Sequence, residues 1–331
     1  MPFHEVIAAG ENERFEGYAQ EFKTFQAERA RQRGSIARAN HAKTHVAAVG
    51  ELLVTAPEKS RVGVFTEPGK KWPLYARFSN GSGAVQSDKA PDARGIALKL
   101  VGVPGPKIIP GLERAQTQDF LFIADSSFPF QSPEDFMIFV RAAKEGPVKM
   151  LPRMLAGYGF IPGLKQLARL LKSPKVTSFA TFPFFTAVPI SFGDTAAKLA
   201  LFPIAPAPPS GLSGDDFLRE DIVARLARAP VSWALSAQFF VDDEKTPIEN
   251  PTQDWQSEWV ELGRVSLFQQ DPGSERGKEI AALVERFSFD PWHAIEAHRP
   301  LGAVMRARAP TYRESVLGRN ALPEPDSVLT F

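Results

Sequence analysis

Arg38-Ala39-Asn40-His41-Ala42-Lys43 is the stretch on which the reading of this chain turns. An imidazole with a pKa near neutrality can take a proton and give it back. A single histidine beside a lysine, however, is more often a surface or capping residue. Three companions change that balance. Tyr75-Ala76-Arg77-Phe78-Ser79 ends a strand-like run, and Asp92-Ala93-Arg94-Gly95-Ile96-Ala97-Leu98-Lys99 follows a polar, glycine-containing loop over 80–93. Arg308-Ala309-Pro310-Thr311-Tyr312 stands near the C-terminus, with Arg319 seven residues further on. In a helix, Arg308 and Tyr312 share a face one turn apart. A phenol has a reference pKa of about 10, and an adjacent guanidinium makes its ionisation easier.

The 331 residues can bury a sizeable core, in one large domain or two. With 39 basic and 38 acidic residues the formal net charge is +1, which gives no pull toward nucleic acid. Cysteine is absent, so disulfides, thiol catalysis and iron–sulfur centres are excluded. The start, Met1-Pro2-Phe3-His4-Glu5, has no basic segment followed by an apolar run, so no secretory signal is expected. No apolar stretch reaches the ~18 residues of a membrane span. The least polar region, 177–192, is broken by Pro183 and Pro189. A cytoplasmic protein without a membrane or nucleic-acid partner is expected. The 29 prolines break the chain into short segments, which suits a loop-rich β protein better than a helical bundle.

Phe15, Tyr18, Phe22 and Phe25 at three- and four-residue spacings predict an amphipathic helix over 11–33. A second helical segment is expected over 41–53, with His41 at its start. Strands are expected at Val62–Thr66, Leu74–Phe78, Ile96–Val101 and Phe120–Ala124, with a turn at Glu67-Pro68-Gly69-Lys70. Helical patterns return over 133–144, 147–156, 163–172 and 215–228. Ser232–Val241 and Trp259–Phe268 read as strands, and Glu275–Phe287 as a helix. An extended run then leads towards Arg308. No repeat, low-complexity tract or linker divides the chain. The periodicity supports an α+β single domain over 1–331, with an N-terminal helical arm over 1–35 and a mostly helical insertion over 130–230.

Taken in order, these motifs resemble the haem catalase superfamily in its short, peroxidase-like form, over about residues 30–320. The resemblance implies a catalase-like antiparallel β-barrel with helical additions, holding haem b. It makes His41 the distal acid–base, moving a proton between the two oxygens of bound peroxide, and Ser79 the partner of its outward nitrogen. Arg77 and Arg38 are the implied partners of the haem propionates, Phe128 of Ser127-Phe128-Pro129 the aromatic packed on the haem, and Tyr312 the axial iron ligand, with Arg308 supplying its charge. Arg319 belongs to the same cofactor-binding segment. Phe289-Asp290-Pro291-Trp292 and Glu296-Ala297-His298-Arg299-Pro300-Leu301-Gly302 resemble signatures of the short catalase-like proteins, in which His298 is structural.

The sequence departs from catalases at two places. Aligning Leu121-Phe122-Ile123 with the family's Phe-Phe-Ile strand puts Thr117 where an asparagine helps orient peroxide. Asn40 precedes the histidine where catalases carry an apolar residue, and in allene oxide synthases a threonine there accompanies loss of catalase activity. The expectation is therefore a peroxidase with weak catalase activity, using hydrogen peroxide or an organic hydroperoxide and a small reductant, as a monomer or homodimer. Two rivals stand beside it: an isomerase or lyase of organic or fatty-acid hydroperoxides, and a barrel that binds haem or an apolar ligand without turnover.

Overall fold

The computed structural model describes residues 3–33, 38, 40–171, 174–205, 208 and 210–330. Its centre is an antiparallel barrel. Strands β1 (Thr44–Val54), β2 (Lys71–Asn80), β3 (Arg94–Val101) and β4 (Thr117–Ile123) pair in succession. Short β5 (Phe184–Phe185) continues to β7 (Thr195–Pro203), then β8 (Val231–Phe239) and β9 (Trp259–Leu267), which returns to β1 and closes eight strands. β6 (Ile190–Phe192) adds to β7 alone. Among the described residues seven helices accompany the barrel: α1 (Glu11–Arg33), α2 (Pro133–Lys144), α3 (Pro147–Tyr158), α4 (Phe160–Leu171), α5 (Phe217–Arg228), α6 (Glu275–Arg286) and α7 (Ala303–Arg319).

Period-two alternation fills the barrel. Leu74, Ala76 and Phe78 of β2, Ile96, Leu98 and Leu100 of β3, and Phe120 and Phe122 of β4 are buried and meet Leu199, Leu201, Trp233 and Leu235 from the far wall. The intervening residues, including Tyr75, Arg77, Ser79, Ala97, Lys99 and Asp119, face outward. There α6 and the chain after α7 cover them, through Val49, Tyr75, Val101, Ile280, Val284, Phe287 and Phe289, with Leu322 and Leu329 packed against them. The arginines and His41 lie on this covered outer face.

The expected helix over 41–53 is a strand from Thr44. β1 is buried on both sides along most of its length, so Val46-Ala47-Ala48-Val49-Gly50 shows no alternation to read. Gly50 fixes the outcome: a Cβ there would lie 2.2 Å from the Ser266 carbonyl oxygen of β9. Val62–Thr66 is a one-turn 3-10 helix over Gly63–Phe65 rather than a strand. The segment 130–230 holds α2 to α5 but also β5, β6 and β7, whose small and aromatic residues gave no strand signal. The run expected to be extended towards Arg308 is irregular up to 302, with a 3-10 turn at Glu296–His298, and its last part is α7, which begins at Ala303.

α7 is set in place at both ends. Glu5 accepts from the Gly302 N–H and Glu249 from the Ala303 N–H, which puts carboxylates at the helix N-terminus where its dipole favours them. Arg306 ties Glu5, Glu11 and Glu249 together. Further along, α1 packs beside the helix, with Lys23 on Glu314 at 2.8 Å and Arg313 on Glu16 at 2.9 Å.

Candidate active site

His41 sits in the left-handed backbone region at φ 57°, a conformation a side-chain-bearing residue adopts only when its surroundings hold it there. Its N–H donates to the Gly81 carbonyl and that of Ala42 to the Ser82 carbonyl, each at 3.0 Å. Arg77 donates through Nη2 to the His41 carbonyl at 2.7 Å. The ring is fixed by Ser79, whose Oγ lies 2.9 Å from Nδ1. Gly95 makes room for it: a Cβ at that position would come within 3.0 Å of Cε1. The loop leading to Gly95 is pinned by Asp92, which accepts from the Ser82 N–H, and by Arg94, which donates to the carbonyls of Asp88 and Ala90.

Desolvation, helped by the charges of Arg77, Arg308 and Arg38, pushes the His41 pKa down to about 3. The imidazole is therefore neutral over the physiological range and a weaker base than a free histidine.

Three arginines converge beside it. Arg38 donates through Nη2 to the carbonyls of Glu285 and Phe287, each at 2.9 Å, and Arg319 to the same two carbonyls at 3.4 Å. Arg77 donates to Thr44 Oγ1 at 2.6 Å. Glu285 lies 3.6 Å from Arg38 and 3.5 Å from Arg77. Burial works against its charge, but Arg77 and Arg38 hold it below the usual carboxylate range. Burial and mutual repulsion push Arg77 down to about 9 and Arg319 to about 10, so both stay protonated at neutral pH. Among the described residues the buried Nε atoms of all three find no hydrogen-bond partner, and those of Arg38 and Arg77 face Glu285 only as ion pairs. Three guanidiniums around one carboxylate leave two positive charges uncompensated. Buried groups in that condition call for an anionic ligand.

On α7, Arg308 Nη2 donates to the Tyr312 hydroxyl at 2.7 Å, and its guanidinium lies 5.1 Å from the ring centroid. Arg308 acts electrostatically on His41, and Tyr312 on Arg38, so the phenol, the imidazole and the arginines form one electrostatic group. Pro310 inside the helix removes one internal N–H, and the turn holds nonetheless.

The structure thus brings together His41, Ser79, Arg38, Arg77, Arg319, Arg308 and Tyr312. It does not join Thr117 to them. That hydroxyl donates to Glu324 at 2.9 Å and lies 3.1 Å from His293 Nε2. Gly95, beside His41, pairs with Ile123. Thr117 is six residues from Ile123, roughly 20 Å of extended strand. Asn40 is exposed beside His41 and makes no hydrogen bond to it. Phe128 packs against Val304 and Met305 at the start of α7 and against Phe130 and Phe136. His298 is buried among Phe65, Phe120 and Phe192 and accepts from the Val64 N–H at 3.2 Å, a structural placement.

Glu285 and Thr44 were not singled out from the sequence. Glu285-Arg286 reads as ordinary helix surface, and only a count of the arginine charge nearby would have called for a carboxylate. Asp119, His293 and Glu324 could in principle hold a metal ion. The Lys99 ammonium, however, already bonds Asp119 at 2.7 and 2.9 Å and Glu324 at 2.5 Å, supplying the positive charge itself.

No protein-family model and no curated protein matches the sequence. Among solved structures, a fungal catalase aligns over 86% of this chain and 59% of its own, at 20% identity and a TM-score of 0.68. Catalase A from Saccharomyces cerevisiae gives 86% and 61%, at 17% identity and 0.68. A bacterial catalase gives 86% and 58%, at 17% identity and 0.64. The chain therefore spans about three-fifths of the length of these catalases, and its fold is catalase-like.

Proposed function

We propose that this chain is a haem-dependent oxidoreductase acting on peroxides, a peroxidase with weak catalase activity, in which Tyr312 is the axial ligand and His41 the distal acid–base. The observation that carries the reading is the guanidinium of Arg308 on the Tyr312 phenol oxygen at 2.7 Å, electrostatically linked to a neutral, serine-anchored imidazole. The donor set suits haem b. A tyrosine is the catalase-type iron ligand, and the clustered guanidiniums of Arg38, Arg77 and Arg319, with Glu285 as their shared carboxylate, suit a dicarboxylate. When bound, the haem supplies the redox-active iron that takes the oxidising equivalents of the peroxide.

The chain's own residues do the rest. Arg308 donates to the Tyr312 hydroxyl from one helical turn away on the same face and so holds the phenol oxygen in position. The arginine cradle of Arg38, Arg77 and Arg319 would hold the acidic edge of the cofactor. For His41 Nε2 to act as a base, its Nδ1–H must donate to Ser79 Oγ, which sets the tautomer. Nε2 takes the proton from one peroxide oxygen and delivers it to the departing one, so that the oxygen leaves as water or alcohol and His41 ends neutral. A small reductant closes the cycle.

Thr117 is left out of this set. The isomerase or lyase reading loses that support and keeps Asn40, exposed at the imidazole. The test is purified protein with haem, fed hydrogen peroxide or a fatty-acid hydroperoxide, with oxygen release, co-substrate oxidation and products measured. Co-substrate oxidation that His41→Ala abolishes while haem stays bound supports the proposal. Rearranged lipid product without co-substrate oxidation supports the rival.

A further inference from the structure

No acidic residue occurs between Glu145 and Asp194. That stretch contains α3 and α4, on which Lys149, Arg153, Lys165 and Arg169 are all exposed, Arg153 pairing with Glu145 at 2.7 Å. Large apolar side chains stand in water between these charges: Val148 is 89% exposed, Phe160 68% and Ile161 65%. Leu151 and Leu164 complete a group of five, out of twelve large hydrophobic residues exposed among all those described. Such a concentration on two short helices is not the single scatter of an ordinary surface.

The exposure does not come from a loosely held hairpin. Gly163 lets α4 approach α3 so closely that a Cβ there would lie 2.9 Å from Leu155 Cδ2. Met154 is fully buried, Gln166 donates to the Pro129 carbonyl at 2.8 Å, and the Tyr158 hydroxyl donates to the Asp135 carbonyl. The inner side is fixed and packed, and the outer side is apolar and basic.

We propose that the α3–α4 hairpin docks on the surface of an anionic lipid bilayer, with Phe160 and Ile161 entering the interface and the lysines and arginines resting on acidic head groups. Amphipathic helices with aromatic and aliphatic residues on one side and cations on the polar side bind membranes in this way. A protein partner fits less well, because protein interfaces are depleted in lysine at their cores. The expectation of no membrane partner came from the lack of a spanning segment. No described helix is long and apolar enough to cross a membrane, and a surface helix needs no such length. The proposal does not depend on the haem reading.

Flotation of the full chain with vesicles tests it, using phosphatidylcholine with and without phosphatidylglycerol. Partitioning at least about tenfold stronger onto the anionic vesicles is expected, falling as salt rises. The Phe160→Ser/Ile161→Ser variant should lose about tenfold or more of it with an unchanged melting temperature, since both side chains are already in water. If that variant fails to fold, Lys149→Gln/Lys165→Gln carries the test and should weaken binding to anionic vesicles only. Equal, weak partitioning onto both vesicle types overturns the proposal, as does undiminished binding by the serine variant. A wild-type dimer that the serine substitutions dissociate would assign the hairpin to a second copy of this chain instead.

Discussion

Lowering the pH from 8 to 5 should leave the reaction of the haem-loaded protein with peroxide almost unchanged. A histidine at its reference pKa of 6.5 is only about 3% neutral at pH 5, which would slow proton abstraction about thirtyfold. His41 is instead pushed down to about 3, first by desolvation and then by Arg77, Arg308 and Arg38, so it stays essentially all neutral at pH 5. Rapid-mixing absorbance at the haem band, over pH 5–8, reads this directly and should vary less than about twofold. A limb falling tenfold per pH unit below about 6.5 would refute the reasoning. The same displacement has a folding consequence. Below pH 6.5 the unfolded chain takes up the proton at this site while the native site does not, so stability falls as pH falls. The slope is up to about 1.4 kcal/mol per pH unit until the native pKa is reached.

Three further outcomes follow from named contacts. Gly95→Ala places a methyl 3.0 Å from His41 Cε1 and 3.1 Å from the Phe122 carbonyl oxygen, so the ring must shift by a few tenths of an ångström. Haem content should hold while the peroxide rate drops, and an unchanged rate would detach Gly95 from the site. Ser79→Ala removes the Nδ1 partner, and a loss of about 10–100-fold in that rate is expected with haem retained, as for other groups that orient an active imidazole. Glu324→Gln leaves the buried Lys99 with Asp119 alone. Urea unfolding should show a loss of about 3–5 kcal/mol. Burial opposes the Glu324 charge, but Lys99 and His293 hold its pKa low. The pair therefore stabilises the fold above the carboxylate's unfolded pKa, and the contribution fades as pH falls into the acid range.

The site was more legible than the strands that carry it. Arg77, Ser79, Arg308 and Tyr312 stand at short spacings fixed by the geometry of one strand and one helix, so local sequence preserved their relation. His41 was found through its neighbours, yet its segment was expected to be helical. β1 is buried on both faces and closes on β9 through Gly50, so no alternation marks it, and its valines alone did not outweigh the helix-forming alanines and leucines. The positive φ of His41 depends on contacts with Gly81, Ser82 and Arg77 that lie some 40 residues away in sequence. Thr117 misled for a related reason. Its alignment position was sound as a strand residue, but Glu324, from more than 200 residues later, captures its hydroxyl. Glu285 was unreadable because its partners Arg38 and Arg77 come from the opposite end of the chain.

The most direct test of the central claim is the absorption spectrum of the purified protein with one equivalent of haem, wild type against Tyr312→Phe. Tight binding and a phenolate-ligated ferric spectrum are predicted for the wild type, and the phenylalanine variant should lose haem on gel filtration. A wild type that fails to retain haem, or a Tyr312→Phe protein with the same spectrum and the same haem content, would contradict the account.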